Sequence, residues 1–350
     1  MVPLRTTLPV LSCAFLSISE KTLTIKTTDL EQTIISKTEI KNEEKGSVCV
    51  LMSKLSEIVS ALPNEEIKIN VNEDLLLELN SNQGTYKITG RASDEFPESP
   101  TPQTKETLKI KGKDFSNIIE KTSFATSRDD LKPALSGVYL NINKSKTTAV
   151  STDGHRLVKF IQERKGETEH SLVVPEKFLK IIKSTIKDEE ILKVDIDENT
   201  LSTNQENFTI TTRIIKEAFP DFNSVIPDNN TIQATLKTEE LISCLKRVSI
   251  FSNRTTKQTV LSFSDQGVVV SAQDPETSTS GKEHADCEYK GEPITVSYNA
   301  KYLIEVLQHI ITKKVKIYLS TPLSAAIVKP EKQKEKEDLT ILLMPLRLNG

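Results

Sequence analysis

Hydrophobic positions return along this chain at a spacing of 124 residues: Leu55, Leu179 and Leu303 occupy one point of three similar segments. Ile58, Ile182 and Val306 mark a second such point, and Ile67, Ile191 and Val315 a third. A period that long is a whole domain, not one unit of a solenoid. The patterns around these points also repeat. A run rich in Thr and aliphatic residues ends at an Asp in Thr22–Asp29, Thr147–Asp153 and Val268–Asp274. Apolar residues at helical spacing follow in Leu51–Leu62, Pro175–Ile186 and Asn299–Ile310. Strand pairs come next: Ile67–Val71 with Leu75–Leu79, Ile191–Ile196 with Asn207–Thr212, and Val315–Leu319 with Ala325–Lys329. Phe96-Pro97, Phe219-Pro220 and Met344-Pro345 close the segments. The pattern predicts an α+β fold with sheets in one layer and helices in another.

The second and third segments open with a further helix, predicted over Asp114–Thr126 (Phe115, Ile118, Ile119 and Phe124 inward) and over Thr238–Phe251 (Leu241, Cys244, Leu245 and Val248 inward). One repeat upstream of Phe115 falls before Met1, so the first segment is expected to lack its opening strand and helix. Leu11, Cys13 and Phe15 alternate with Ser12, Ala14 and Leu16, which predicts a half-buried strand and argues against a lipoprotein signal in Met1–Cys13. The linkers Glu98–Glu106 and Pro227–Thr231 set expected domains at 1–103, 104–229 and 230–350. The charged stretch Pro330–Asp338 reads as a solvated hairpin tip.

Composition narrows the function classes. A chain of 350 residues accommodates three domains of ordinary size. No run reaches the ~20 apolar residues of a membrane-spanning helix, so no membrane partner is expected. Lys and Arg number 46 against 49 Asp and Glu, a net charge of −3, unlike the usual basic sequence-specific DNA binder. Any nucleic-acid contact must come from local basic faces. Cys13, Cys49, Cys244 and Cys287 form no CxxC pair. That predicts reduced thiols in a cytoplasmic protein, with no metal site and no cofactor.

Three stretches carry candidate chemistry. Ser151–Leu157 (STDGHRL) puts Asp153-Gly154 at a strand end, a turn signal. Asp153 and His155 leave an enzyme reading open, but no partner at catalytic or ligand spacing accompanies them, and a turn lining a groove fits better. Lys177, Lys180, Ser184 and Lys187 share one helix face, either an ordinary solvated face or one turned to phosphates. Lys246, Arg247, Arg254, Lys257, Arg128 and Lys132 repeat the bias near the other helices. With few aromatics among them, backbone contact without base readout is expected. The apolar end Leu342–Leu348 reads either as a core strand or as the wall of a peptide groove.

The ordered set Thr7-Leu8-Pro9-Val10-Leu11, Thr28-Asp29-Leu30-Glu31, Leu135-Ser136-Gly137-Val138, Thr152-Asp153-Gly154-His155-Arg156-Leu157, Phe219-Pro220-Asp221-Phe222, Val225-Ile226-Pro227 and Met344-Pro345-Leu346-Arg347-Leu348 resembles the bacterial sliding clamps, the beta subunits of DNA polymerase III. The resemblance covers essentially the whole chain. It implies three similar domains per chain and a head-to-tail homodimeric ring, helices inside and sheets outside, around double-stranded DNA without sequence preference. It implies a non-catalytic processivity factor that tethers the polymerase III alpha subunit, the clamp loader delta subunit and other proteins bearing a clamp-binding motif. The groove implied for their peptides comprises Leu135, Thr152, Gly154, His155, Arg156, Leu157, Pro220, Val225, Leu323, Leu342, Met344, Pro345 and Leu346. Positions implied near DNA are Arg5, Lys54, Arg128 and Lys132, to which the helix face adds Lys177 and Lys180; Tyr86, Ile250 and Phe251 are implied at the dimer contact. Ser224 stands where some members carry Arg, which predicts a less basic rim. The chain runs on to Asn349-Gly350 past the family's Arg-Leu ending. A rival reading is a cytoplasmic adaptor that binds no DNA.

Overall fold

The computed structural model describes residues 6–41, 44–98, 105–166 and 168–348. Arg5, most of the linker Glu98–Glu106 and Asn349-Gly350 lie outside those residues. The first segment contains β1 (Cys13–Ser19), β2 (Thr22–Thr28), β3 (Gln32–Glu39), β4 (Gly46–Leu51), α1 (Met52–Ala61), β5 (Lys68–Val71), β6 (Leu76–Asn80) and β7 (Thr85–Arg91). The second contains β8 (Glu106–Lys111), α2 (Gly112–Thr122), β9 (Gly137–Ile142), β10 (Lys146–Thr152), β11 (Arg156–Glu163), β12 (His170–Pro175), α3 (Glu176–Thr185), β13 (Ile191–Ile196), β14 (Thr200–Asn204) and β15 (Phe208–Arg213). The third contains β16 (Ile232–Lys237), α4 (Thr238–Val248), β17 (Gln258–Ser264), β18 (Gly267–Asp274), β19 (Thr279–Ala285), β20 (Cys287–Lys290), β21 (Ile294–Asn299), α5 (Ala300–Gln308), β22 (Lys314–Leu319), β23 (Ala326–Pro330) and β24 (Glu337–Leu343). The element order thus repeats as the hydrophobic pattern predicts, with β20 an addition in the third segment.

The chain condenses into two compact units that cut across this repetition. One holds the residues up to Lys111 together with Ile191–Ile214; the other holds Gly112–Glu190 and the residues from Ile215 onward. The first unit is organised on one sheet of order β5-β6-β7-β4-β1-β2-β3-β15-β14-β13-β8. Its first-segment and second-segment strands join where β3 pairs antiparallel with β15, Ile34 opposite Ile210. The second unit has a nine-stranded sheet, β12-β9-β10-β11-β24-β23-β22-β16-β20, and a four-stranded one, β19-β18-β17-β21. There the junction is β11 with β24, Leu157 opposite Leu342.

Each helix follows its strand without a loop, because apolar alternation passes directly into 3.6-residue spacing. In α3, Phe178, Leu179 and Ile182 are fully buried while Lys177, Lys180 and Ser184 stay exposed. Asn299 caps α5 by accepting from the backbone N–H groups of Lys301 and Tyr302, satisfying donors that a helix start leaves open. The α1 helix ends just before Pro63, which disfavours a helical residue ahead of it.

Four sequence expectations need correction. The helices predicted to reach Thr126 and Phe251 stop at Thr122 and Val248, and tighten into 3₁₀ turns at Ser123–Ala125 and Ser249–Phe251. The run Ile191–Ile196 pairs with β14 and β8, not with the run beginning at Asn207, because Thr200–Asn204 supplies an intervening Thr-rich strand. Strand β1 is not half-buried: Cys13 and Ala14 are both covered. It lies between β4 and β2, with Leu16 in a cluster with Leu55 of α1 and Leu77 on one side. On its other side Cys13 packs with Val10, Cys49 and Phe96. Finally, Ile191 is 62% exposed although its counterpart Val315 is fully buried. In β13 the inward positions are Leu192 and Val194; in β22 they are Val315, Ile317 and Leu319. The repeat slips by one residue here, which turns the side chain to the other face.

Burial also sets the thiols. It is the main cause pushing Cys49, Cys244 and Cys287 up to about 11 from an ordinary 9.0. Unfolded thiols therefore ionise first as pH rises, so their contribution to stability is intact below pH 9 and declines between 9 and 11. Titration with a chromogenic disulfide at pH 8 should label the native protein at least tenfold more slowly than the unfolded chain, since only thiolate reacts. Equal rates would contradict this burial.

Candidate functional site

The turn Asp153–His155 is built by its own side chains. Asp153 Oδ1 accepts from the backbone N–H of His155 at 2.9 Å and of Arg156 at 3.0 Å. Thr152 Oγ1 donates to the Arg156 carbonyl at 2.7 Å. Gly154 sits at φ +88°, a left-handed conformation that favours glycine. The Asp-Gly pair is therefore structural.

Arg156, only 5% exposed, carries the charge that matters. Its Nη1 donates to Glu305 Oε2 at 2.9 Å and its Nη2 to the Phe124 carbonyl at 2.7 Å. Nε lies 3.2 Å from Asp153 Oδ2, without an aligned hydrogen bond. The guanidinium lies 5.1 Å from the centre of the Phe124 ring and 4.8 Å from that of Tyr302. His309 stacks on Phe124 at 3.8 Å, and burial holds its imidazole below the ordinary value. Burial, and then Asp153, raise the Tyr302 phenol. Arg156 thus ties β10–β11 and the turn after α2 to α5. Sequence reasoning missed Glu305 and Tyr302. Their helical spacing put them on one face, but nothing in the sequence tied that face to Arg156.

Beside this latch lies an apolar floor. Leu157, Leu342 and Val150 form a buried cluster against which Tyr139, Phe219, Phe222, Ile226 and Ala325 pack. The Met344 N–H donates to the His155 carbonyl at 2.9 Å, and Ser297 exchanges two hydrogen bonds with Leu346. These hold Met344–Leu346 in place beyond β24. Val225, Leu323 and Met344 remain 53%, 67% and 44% exposed, an uncovered apolar rim over a buried floor. The resemblance's groove positions Thr152, His155, Arg156, Leu157, Leu342 and Met344 are therefore joined by strand pairing, hydrogen bonds or chain adjacency, while Leu346 is held by Ser297. Leu135 ends a 3₁₀ turn, its carbonyl accepting from Ser127. His155 stacks on Tyr302 at 5.6 Å, with its ring exposed. Pro220 and Asp221 occupy the loop of the Phe219 and Phe222 rings.

The basic faces are narrower than expected. Helices α1, α2, α4 and α5 each contain as many acidic as basic residues; α3 alone has three lysines to one Glu. The expectation that equivalent helices share a positive bias is corrected: several of the cations stand outside the helices, and glutamates inside balance the rest. Even on α3, Lys180 pairs with Glu176 and Lys183 with Glu120. Lys54 pairs with Glu57, Lys132 lies 4.0 Å from Asp129, and Arg128 is exposed. Lys121, in the last turn of α2, is buried and donates to the His309 carbonyl, and desolvation lowers its pKa.

The remaining site candidates sit on strand edges. Ile250 is 76% and Phe251 38% exposed, beside β19. A Cβ on Gly281 of β19 would come within 2.5 Å of the Phe251 ring, so glycine is what lets that ring lie on the strand. Tyr86 stands in β7 opposite Leu79. A cleft is lined by Glu239, Cys244, Arg247, Glu283 and His284, and three of these polar side chains are already engaged. Arg247 forms a two-point pair with Glu283, and His284 bonds to the Gln266 carbonyl. Among the described residues, no three His, Cys, Asp or Glu side chains could hold a metal, and no helix is long and apolar enough to cross a membrane.

Comparison with known proteins agrees with this architecture. The N-terminal, central and C-terminal domains of the DNA polymerase III beta subunit match residues 1–100, 109–221 and 223–347 in turn. The beta sliding clamp of Vibrio cholerae is 26% identical over 347 residues, covering 98% of this chain and 94% of that protein. That of Pseudomonas putida is 27% identical over 353 residues, covering 99% and 95%. The crystal structure of the Pseudomonas aeruginosa sliding clamp bound to griselimycin superposes with a TM-score of 0.87 at 26% identity, covering 99% of this chain and 94% of that one. The Thermotoga maritima beta subunit shares the fold at TM-score 0.90 and 21% identity, covering 99% and 94%. With all three domains matched in order, the chain belongs to the DNA polymerase III beta subunit family, the bacterial sliding clamps, which are processivity factors and not themselves catalytic.

Proposed function

We propose that two copies of this chain close head to tail into a ring around double-stranded DNA, and that the ring tethers replication proteins through the groove floored by Leu157 and Leu342. The observation that carries this reading is a strand pairing used twice and available once more. The third strand of the first segment pairs with the last strand of the second, β3 with β15, and the equivalent strand of the second, fourth once its opening strand β8 is counted, pairs with the last strand of the third, β11 with β24. By the same rule β19 should pair with β7. Among the described residues β19 has no neighbour beyond β18, and β7 pairs with β4 only at Gly90 and Arg91. Within one chain these two edges belong to the first and last segments, so their pairing joins one copy to another. Such a heterologous contact closes if the rotation closes, and an unpaired edge strand is a template for the pairing. Ile250 and Phe251 beside β19, and Tyr86 on β7, are its apolar contacts.

Enclosure makes tight adhesion unnecessary. Lys177 and Lys180, with Arg5, Lys54, Arg128 and Lys132, supply weak attraction to phosphates that salt screens and that permits sliding. The domain limits that fit this assembly are 1–103, 104–229 and 230–350. The groove takes apolar residues from linear motifs of the polymerase alpha subunit, the clamp loader delta subunit and other clamp-binding proteins, in the cytoplasm. Each buried side chain contributes roughly 1.5–3 kcal/mol before the costs of association, which suits exchangeable binding.

Loading onto a nicked circular plasmid by a clamp loader tests the reading. Gel filtration should show protein co-eluting with the circle and lost when a restriction enzyme linearises it. Retention that ignores linearisation would refute enclosure, and no retention on the circle would favour the adaptor reading.

A further inference from the structure

A second cleft adjoins the groove, and we infer that it is an accessory subsite for an acidic side chain flanking the apolar anchor of a partner peptide. The inference rests on the groove reading above and adds to it a charge preference. The cleft, about 520 Å³, opens on the face of β9, β10 and β11. The ladder sets its floor: Tyr139, Val150 and Lys159 lie in one row across the three strands, and Asn141, Thr148 and Ile161 in the next. The loop Phe219–Asn223 forms its wall.

Three features define what fits. First, the wall is apolar and packed. The Tyr139 ring centre lies 5.3 Å from that of Phe219 and 5.8 Å from that of Phe222, and the two phenylalanines are 6.4 Å apart. Second, the Lys159 ammonium is already placed, 5.5 Å from the centre of the Phe222 ring and 3.1 Å from Asn223 Oδ1. A cation held in this way loses little rotamer freedom on meeting an anion. Lys146, at the far end, is exposed and stands opposite Glu163 in the β10–β11 ladder. Of the lining carboxylates there is only Asp221, whose Oδ1 already accepts from the Asn223 N–H. Third, the cleft continues the groove. The same three rings pack on Leu157 and Leu342 of its floor, and Pro220 lines the cleft.

An occupant reaching from the groove thus meets an aromatic wall for its stem and two ammonium groups for its head. Asp or Glu beside an apolar anchor has that chemistry. A nucleic-acid strand fits less well, because two lysines facing one carboxylate offer too little charge to follow a phosphate backbone, and the rings stack on one another instead of offering free faces to bases.

Fluorescence anisotropy tests the assignment on the intact protein. The probes are a labelled neutral decapeptide with adjacent leucines and the same peptide with two glutamates added before or after the leucines. Lys146→Gln and Lys159→Gln together remove the charge and leave Leu157 and Leu342 untouched. For the unaltered protein, one acidic placement should tighten binding roughly three- to tenfold at low salt, the range of two exposed charge pairs. The double variant should abolish that gain and bind the neutral peptide as before. No gain at either placement, or a gain that survives the double variant, overturns the subsite while leaving the groove intact. Failure of the neutral peptide to bind overturns both. Competition by oligothymidylate but not by glutamate peptides would assign the cleft to nucleic acid and overturn the inference.

Discussion

Changing Ile250 and Phe251 to Asp together is expected to halve the mass of the particle in solution, from two 39.1 kDa chains to one. Ile250 is 76% exposed and Phe251 38%, its ring lying over Gly281 of β19, so the substitution touches no buried core residue and each chain should still fold. What it removes is the apolar part of the proposed contact at β19. Two carboxylates placed there would have to be desolvated against apolar Tyr86, a cost of several kcal/mol for each unpaired ion. A head-to-tail ring has two identical joints, so one double substitution weakens both. Light scattering at micromolar concentration should report the monomer mass, and retention on circular plasmid should fall to background. A particle that stays dimeric would place the contact elsewhere and dismiss the β19–β7 pairing.

The other large effect is expected inside the second unit. Arg156→Ala should destabilise that unit by about 3 kcal/mol, within the range for breaking a buried ion pair. In a unit of this size that lowers the calorimetric midpoint by on the order of 10 °C. The alanine leaves Glu305 facing a void, the Phe124 carbonyl without its donor, and two rings without the cation between them. The groove should suffer too, because the Arg156 carbonyl anchors Thr152 and the neighbouring His155 carbonyl anchors Met344. Peptide affinity should fall at least tenfold. Arg156→Lys should recover little of either property, since an ammonium cannot reach Glu305 and the Phe124 carbonyl in the same fork geometry. A midpoint within 2 °C of the unaltered protein would show that the latch does not hold the groove together.

Much of this protein was legible in its sequence. Residue order alone determined where most strands and helices fall, though not β14 or the ends of α2 and α4, because burial on one face imposes periods of 2 and 3.6 that any chain must show. Leu55, Leu179 and Leu303 are buried at matching points of α1, α3 and α5, as the threefold pattern required. The turn at Asp153-Gly154 was equally local, since its bonds reach no further than four residues. Tertiary structure decided what depends on partners distant in the chain. That Ile191 faces outward, that β1 is covered on both sides, and that Arg156 meets Glu305 across 149 positions are outcomes of packing. So is the crossing of the segments by β3–β15 and β11–β24, because a strand's hydrogen bonds run sideways and the alternation of its side chains does not name the neighbour that accepts them.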